Sequence, residues 1–325
     1  MTKMKKILAV GLASVLAVSF AACSNGGDQG TDAGNDAAAV KTGLAVVSQI
    51  QDVKETTLTI DSVGAAVLVD AEGKIVDVKI DEAQTKPDLA VDAGNVSDLR
   101  TKLEKKEDYA MKPASEIGKE WYEQIAAFEA WAKGKTVDDI KAGVGEDGYP
   151  AAADLKAGCT MHASGFVTAV ANAVASAQDL GAKSGDTLKL AINTGKYYKS
   201  DETNLQYDSD FAAVTLDADG KITSCLIDAS QAKCTIADGK FTVAEGAFTS
   251  KKDLKEGYAM KAASPIGKEW YEQAAAYEEW AKGKTATDIK AAVGEDGAAN
   301  DADLKAGCTI TITSIADTVA EAATV

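Results

Sequence analysis

The chain has 325 residues, of which 26% are charged and 46% hydrophobic, and its formal net charge at pH 7 is −16. This acidic excess argues against nucleic-acid binding, which needs a basic surface. The length is sufficient for two domains, each with its own hydrophobic core.

Residues 1–22 are predicted to be a targeting segment. They begin with three lysines and continue with an apolar run, Ile7 to Phe20, which is too short to span a bilayer. Two alanines stand directly before Cys23, an arrangement that resembles a bacterial lipobox. We expect Cys23 to be the lipidated N-terminus of the mature chain, and the alternative is an ordinary signal peptide with a spare cysteine.

Residues 23–39 contain glycine, aspartate, asparagine, serine and alanine but almost no large apolar side chain, which is typical of a flexible tether. Removal of residues 1–22, which hold three lysines and no acidic residue, would take the net charge from −16 to −19. These features predict a lipid-anchored protein at the extracellular face of the cell membrane.

The first folded elements are predicted to be β-strands. Residues 65–69 and 74–80 flank an Asp-Ala-Glu-Gly turn, and apolar and polar side chains alternate in the second run. Residues 212–216 and 221–227 repeat this hairpin around Asp-Ala-Asp-Gly. A further hairpin is predicted between residues 234–237 and 240–244, across Asp238 and Gly239.

Helices follow the strands. Ser115 as N-cap and Gly134 as stop signal predict a long helix with one apolar face. Thr136 and Asp139 have the spacing of a capping box that begins a shorter helix, as do Thr285 and Asp288. A final helix is predicted around Phe166, Val167, Val170 and Val174.

Two stretches of the chain are nearly repeated at an offset of 149 residues. The heptapeptide Asp-Leu-Lys-Ala-Gly-Cys-Thr occupies residues 154–160 and again 303–309, while residues 109–136 and 258–285 differ at five positions. This period is too long for a solenoid and indicates a duplicated domain. We expect an α+β fold of two tandem homologous domains, 40–178 and 180–325, each a small antiparallel sheet packed with helices.

Five cysteines are present, and two of them occur in the second copy alone. Cys225 and Cys234 replace Val78 and Pro87 of the first copy. The two cysteines either form a disulfide, as expected when two cysteines occur together in a secreted chain, or are two independent small buried residues.

The repeated heptapeptide places a threonine in a loop of small residues ahead of a helix. Gly158 and Gly307 allow close approach of backbone or ligand, and a helix N-terminus favours phosphate. The sequence therefore suits a phosphate beside the hydroxyl of Thr160 or Thr309.

These residues resemble the flavinylation motif of the FMN-binding domain family, Asp-x-x-x-Gly-x-Thr. The matching positions are Asp154, Gly158 and Thr160 in the first copy and Asp303, Gly307 and Thr309 in the second. The family's Ser/Thr and Ala positions hold Ala157 and Cys159, or Ala306 and Cys308. In that family a flavin transferase esterifies the threonine with the phosphate of FMN, so the resemblance implies two covalent FMN groups.

The lipobox, the acidic tether and the doubled domain together resemble the doubly flavinylated lipoproteins of Gram-positive extracellular electron transfer. The resemblance implies a flavin transferase as modifying partner, a membrane quinol oxidase or reductase as electron donor, and extracellular acceptors. Two alternatives remain: a non-redox binding or adhesive lipoprotein, and a flavinylated subunit of a membrane redox complex.

Other repeated side chains are candidates for contact with the cofactor. The candidates are Met111 and Lys119 with Met260 and Lys268. Lys119 and Lys268 could pair with phosphate or flavin. Trp121 and Trp270 could stack on a ring, although tryptophans at helical spacing more often belong to the hydrophobic core. The single histidine, His162, has Thr311 as its counterpart and is either a surface residue or a tuner of the first flavin.

The sequence predicts no catalytic group and no metal site of its own. No base adjoins either threonine, so the chain is expected to be the substrate of flavin attachment and an electron carrier more than an enzyme. It has no zinc spacing, P-loop or dinucleotide-binding fingerprint.

Overall fold

The computed structural model describes residues 38–197, 199–243 and 248–324. The predicted targeting segment, Cys23 and nearly all of the tether lie outside the described residues. Within them, seven strands in two antiparallel sheets are combined with ten α-helices, which confirms the α+β class. No helix in this part of the chain is long and apolar enough to cross a membrane.

The two sheets are antiparallel meanders. The first has the order β1-β2-β3 and the second β4-β5-β6-β7. The strands are β1 (Lys41–Val53), β2 (Leu58–Val69), β3 (Ile75–Thr85), β4 (Thr187–Lys196), β5 (Asn204–Leu216), β6 (Ile222–Ala237) and β7 (Lys240–Thr242). The three predicted hairpins are confirmed as β2–β3, β5–β6 and β6–β7, while β1 and β4 were not predicted.

Each sheet is followed by five helices in the same order. The first set is α1 (Lys102–Lys105), α2 (Trp121–Ala132), α3 (Val137–Ala142), α4 (Ala153–Lys156) and α5 (Ser164–Ala175). The second set is α6 (Lys251–Leu254), α7 (Trp270–Ala281), α8 (Ala286–Ala291), α9 (Ala302–Gly307) and α10 (Thr313–Ala322). The capping boxes predicted for α3 and α8 are confirmed.

The predicted start of α2 is wrong. Residues 112–114 form a short 3-10 helix, and Gly118 has a φ of +62°, so the α-helix begins only at Trp121. Its N-cap is Glu120, which forms a reciprocal capping box with Glu123. Ser115 is therefore not the N-cap; its hydroxyl is used by a residue of α2, as described below.

Alternate faces of the central strands have different partners. Successive side chains of a strand point to opposite faces of the sheet. The odd-numbered residues 63, 65, 67 and 69 of β2 pack with α2 and α5, while the even-numbered residues 58, 60, 66 and 68 pack with residues of the second sheet. In β5 the parity is reversed: residues 212, 214 and 216 face helices. The two sheets therefore lie between two helical layers, and both faces of β2 and β5 are buried.

The described residues form one compact unit. Each half has its own sheet–helix core, as expected of a duplication, but three further apolar clusters are shared between the halves. The hydroxyls of Thr42 and Ser224 also bond across the shared face at 2.8 Å. At the predicted joint, the Val40 N–H donates to the Ala182 carbonyl at 3.2 Å. The halves are thus packed firmly together, and the domain boundary stays a prediction.

Cys225 and Cys234 are free, buried thiols, so the disulfide interpretation is wrong and the alternative of two independent residues holds. Both lie on β6, nine residues apart. A strand rises about 3.3 Å per residue, which separates them by about 30 Å, whereas a disulfide needs Cα atoms within about 7 Å.

Candidate functional site

The backbone of Thr160 is bound by a buried glutamine of α2. The Thr160 N–H donates to Gln124 Oε1 at 2.8 Å, and the Thr160 hydroxyl lies 3.3 Å from the same oxygen. Gln124 Nε2 donates to Ser115 Oγ at 2.9 Å and to the Lys119 carbonyl at 3.2 Å. Gln124 is 1% exposed, and both polar atoms of its amide are hydrogen-bonded within the protein. The threonine loop is therefore tied to the start of α2.

The second half repeats this arrangement. Thr309 donates its N–H to Gln273 Oε1 at 2.7 Å, with its hydroxyl 3.2 Å away, and Gln273 Nε2 donates to Ser264 Oγ at 3.0 Å and the Lys268 carbonyl at 3.2 Å. We call each set of threonine, glutamine, serine and lysine carbonyl a threonine clasp. Sequence reasoning did not identify Gln124 or Gln273, although both belong to the repeated Glu-Trp-Tyr-Glu-Gln.

The predicted lysines contribute their backbones to the clasp. The Lys119 and Lys268 N–H groups donate to the serine hydroxyls at 3.2 and 3.3 Å, and their carbonyls accept from the glutamines. Met111 and Met260 are half-buried against the two cores, and their N–H groups donate to Glu120 and Glu269 at 2.8 Å. Met111 also lines the cavity described below.

The glycine and cysteine of the heptapeptide allow its loop to pack closely against α2 in the first half and α7 in the second. A Cβ on Gly158 would lie 2.7 Å from the Cβ of Ala127, and one on Gly307 would lie 2.6 Å from that of Ala276. Glycine is therefore needed for packing. Cys159 and Cys308 are fully buried in the cores, and burial raises the pKa of the Cys159 thiol and raises that of Cys308 to about 11. Neither thiol is arranged to react.

The aspartates of the motif stand apart from the clasp. Asp154 and Asp303 are exposed on α4 and α9. Asp154 accepts from the Leu155 N–H at 3.0 Å, while the Asp303 N–H donates to Asp301. Their carboxylates are thus on the protein surface.

A cavity of about 610 Å³ opens beside Thr160. Aromatic and polar side chains share its wall, among them Trp121, Phe166, Tyr109, Gln49 and Gln51. Trp121 and Phe166 are buried and meet edge to face, with ring centroids 6.0 Å apart. The volume lies in the range of small-molecule and cofactor sites, but polar and charged side chains outnumber the aromatic ones in the wall.

A buried ion pair also lines this cavity. Lys102 Nζ lies 2.7 Å from Glu82 Oε1, 5.0 Å from the centre of the Tyr109 ring and 5.6 Å from that of Trp121. Asp61 is a second buried carboxylate in the wall. Burial raises the pKa of Glu82 to about 7, opposed by the Lys102 ammonium and assisted by Asp61.

The second half keeps the lysine and its aromatic partners but not the glutamate. Lys251 Nζ lies 5.2 Å from the ring centres of both Tyr258 and Trp270. It borders a cavity of about 250 Å³, of which Thr309 is not a lining residue. Burial raises the pKa of Asp210, while a hydrogen bond from Ser314 and the Lys251 charge act in the opposite direction.

His162 stands at the mouth of the first cavity. It is exposed, and its ring meets that of Tyr149 edge to face with centroids 5.3 Å apart. Gly148, at φ +81°, leaves room for it: a Cβ there would lie 2.2 Å from His162 Nε2. Thr311 takes the corresponding place beside Gly297.

Two cavities beside Thr160 could hold a bound cofactor. The cavity of about 610 Å³ has room for a ring system, and Lys156 shares a second cavity of about 260 Å³ with Thr160, where it could face a phosphate. Glu116 and Asp147 border that cavity too, so the site is not strongly cationic. The described residues contain no cluster of His, Cys, Asp and Glu suited to a metal ion.

Comparison with known proteins adds one partial similarity. Chlorophenol reductase of Desulfitobacterium hafniense is 34% identical in an alignment of length 91, which covers 23% of this chain and 28% of that protein. The chain thus matches well under two thirds of that protein's length. No family model matches the chain, and no solved structure matches it.

Proposed function

We propose that this chain is a membrane-anchored electron-transfer flavoprotein with FMN esterified to Thr160 and Thr309. The FMN groups would supply reversible acceptance and donation of electrons, and the protein would fix their positions. On this proposal the halves are tandem FMN-binding domains, and the chain is the substrate of a flavin transferase.

The observation that carries the proposal is the threonine clasp, which occurs in both halves with hydrogen-bond lengths equal to within 0.1 Å. Each clasp holds the backbone of its threonine and leaves the side chain half-buried at the loop surface. A residue that must be modified by another enzyme needs such a fixed but accessible position. In the first half the same threonine borders a cavity of cofactor size.

A second support is the name of the partial relative, since a reductase carries out redox chemistry. The proposed electron donor, a membrane quinol oxidase or reductase, and the proposed extracellular acceptors rest on the sequence resemblance. So does the lipid anchor at Cys23. Covalent attachment would keep the cofactor at high local concentration outside the cell, where free flavin is diluted.

The test is intact-mass analysis of the full chain produced together with a flavin transferase. We expect two added FMN groups, one in Thr160→Val, one in Thr309→Val and none in the double variant. A double variant that stays yellow after denaturation and desalting would contradict the assignment. A colourless, unmodified wild type would favour the non-redox binding lipoprotein.

The anchor is tested separately. Cys23→Ala should be released from membranes or remain unprocessed, because it lacks the thiol that carries the lipid. Fatty-acid labelling that persists in Cys23→Ala would refute a lipid at that position.

A further inference from the structure

We infer that the cavity beside Thr160 encloses the flavin ring attached to that threonine, whereas the ring attached to Thr309 stays exposed to solvent. The inference rests on the proposed function and adds the residues that decide how each ring is held. These residues occupy three equivalent positions, two on the sheet and one on the last helix. They are Val63, Glu82 and Gly165 in the first half and Asp210, Ala229 and Ser314 in the second.

The strand pairing shows that one carboxylate has changed places between the halves. Val63 of β2 is paired with Glu82 of β3, and Asp210 of β5 is paired with Ala229 of β6. Both pairs occupy the same place relative to the hairpin turn that follows β2 or β5. Glu82 lies 2.7 Å from Lys102. The carboxylate therefore comes from an edge strand in the first half and from an inner strand in the second.

In the first half, the space between the inner strand and the last helix is open. Val63 and Gly165 both line the cavity of about 610 Å³ that Thr160 borders. Gly165 is the second residue of α5, and a Cβ there would lie 4.0 Å from Val63 Cγ2. A side chain at position 165 would therefore contact residue 63, but glycine leaves the gap between helix and strand unbridged.

In the second half, two side chains bridge the same gap. Ser314 is the second residue of α10, and its hydroxyl donates a hydrogen bond to the Asp210 carboxylate on β5. Ser314 is exposed and Asp210 is half-buried, so the bridge lies at the outer side of the gap. The cavity of about 250 Å³ beside Lys251 does not include Thr309 among its lining residues. A ring carried by Thr309 is thus kept from entering between strand and helix.

The mouth of the first cavity differs from the second half in the same direction. Tyr149 and His162 both line the cavity, and their rings meet edge to face. Their counterparts in the second half are Ala298 and Thr311, which are smaller and carry no ring. The first half can therefore cover a bound ring with aromatic side chains that the second half lacks.

The wall of the first cavity also suits a flavin ring chemically. Isoalloxazine has an apolar dimethylbenzene end and a pyrimidine end with carbonyl and N–H groups. Trp121 and Phe166 offer apolar surface in the wall, while Gln49 and Gln51 offer amide groups. Side chains of both kinds are thus available to contact the ring along its length.

The test is iodide quenching of flavin fluorescence in the flavinylated full chain, at constant ionic strength, with the urea-unfolded protein as the fully exposed reference. Thr309→Val retains only the first flavin, and Thr160→Val retains only the second. Because a pocket buries about 70–90% of the surface of its ligand, we expect the first flavin to be quenched roughly threefold to tenfold less than the second. Visible circular dichroism, which needs fixed asymmetric surroundings, should be stronger for the first flavin.

Exchange of the three residues tests whether they cause the difference. Val63→Asp, Glu82→Ala and Gly165→Ser together, in the Thr309→Val protein, should raise quenching toward the value of the second flavin. The reverse exchange in the Thr160→Val protein, Asp210→Val, Ala229→Glu and Ser314→Gly, should lower it. Each exchange keeps one carboxylate in the cross-strand pair, so the nearby lysine retains a partner.

Gly165→Ser alone should also raise quenching, and it tests the inference even if a triple variant fails to fold. Gly195→Ser is the matched control and should leave quenching unchanged, because a Cβ on Gly195 would have no atom within 4 Å. Equal quenching of the two flavins, or a first flavin as well shielded in Gly165→Ser as in its parent, would overturn the inference while the proposed function stands. Absence of attached flavin from both parent proteins would overturn both.

Discussion

The threonine clasp makes a direct prediction for Gln124→Met, which nearly conserves side-chain volume but removes all four hydrogen-bonding contacts of the amide. The variant leaves the Thr160 N–H and the Lys119 carbonyl without their partner. Each buried polar group left unsatisfied costs roughly 1–3 kcal/mol. Thr160 and Lys119 are only half-buried, so water can replace part of what is lost, and the expected decrease in the free energy of unfolding is about 2–3 kcal/mol.

The assay has two readouts. Urea denaturation followed by tryptophan fluorescence measures the loss of stability, and intact mass in a Thr309→Val background measures flavin occupancy of Thr160 alone. We expect occupancy to fall, because the loop is no longer held to α2. Gln273→Met in a Thr160→Val background should behave alike. Gln178→Met is the control, since Gln178 is exposed and its change should cost within about 0.5 kcal/mol.

If Gln124→Met has wild-type stability and full FMN occupancy of Thr160, the clasp is not what holds the threonine in place. Loss of stability with full occupancy would limit the clasp to a structural role.

Three further predictions concern packing, pH and thiols. Gly158→Ala and Gly307→Ala should each lower the free energy of unfolding by about 1–3 kcal/mol, because the new Cβ would lie 2.7 or 2.6 Å from an alanine of the facing helix. Gly195→Ala is the control and should be nearly neutral, because a Cβ there would have no atom within 4 Å. Equal urea midpoints for all three variants would contradict this prediction. Burial raises the pKa of Glu129 from 4.5 to about 7, so the stability linked to its protonation is present below pH 4.5 and is lost as the pH rises through 7. Glu129→Gln should therefore lose less stability than the parent between pH 5 and pH 8 in urea titrations, and identical pH profiles would show that Glu129 does not titrate in this range. Cys225 and Cys234 should react with a thiol reagent only after unfolding, without added reductant, and a mass two hydrogens short at these residues would reveal a bridge.

The hairpins could be predicted from the sequence because their signals are local. Alternating side chains before and after an Asp-x-x-Gly turn define β2–β3 and β5–β6 without reference to the rest of the chain. The start of α2 could not be predicted in this way. Ser115 has the chemistry of an N-cap, but the chain turns at Gly118 before α2 begins. The Ser115 hydroxyl instead accepts hydrogen bonds from the Lys119 N–H and from Gln124 Nε2.

The site was predictable only in part, for a similar reason. Thr160, Gly158 and Cys159 belong to one short motif, whereas Gln124 reaches Thr160 across 36 residues of sequence. The same glutamine ends both copies of Glu-Trp-Tyr-Glu-Gln, and this repetition could have identified it as a site residue. Lys102 carried no such signal, because the sequence around it differs from that around Lys251. The packing of the two sheets against each other had no local signature beyond the nearly continuous apolar run of β2.

Peptide mapping of the flavinylated protein tests the central claim most directly. Trypsin cleaves after lysine, so cleavage after Lys156 and Lys305 gives one peptide from 157 to 183 and one from 306 to 325, each with one of the two threonines. Tandem mass spectrometry should locate one FMN on Thr160 and one on Thr309, in wild type but not in the corresponding Thr→Val variants. Unmodified peptides, or FMN on any other residue, would contradict the account.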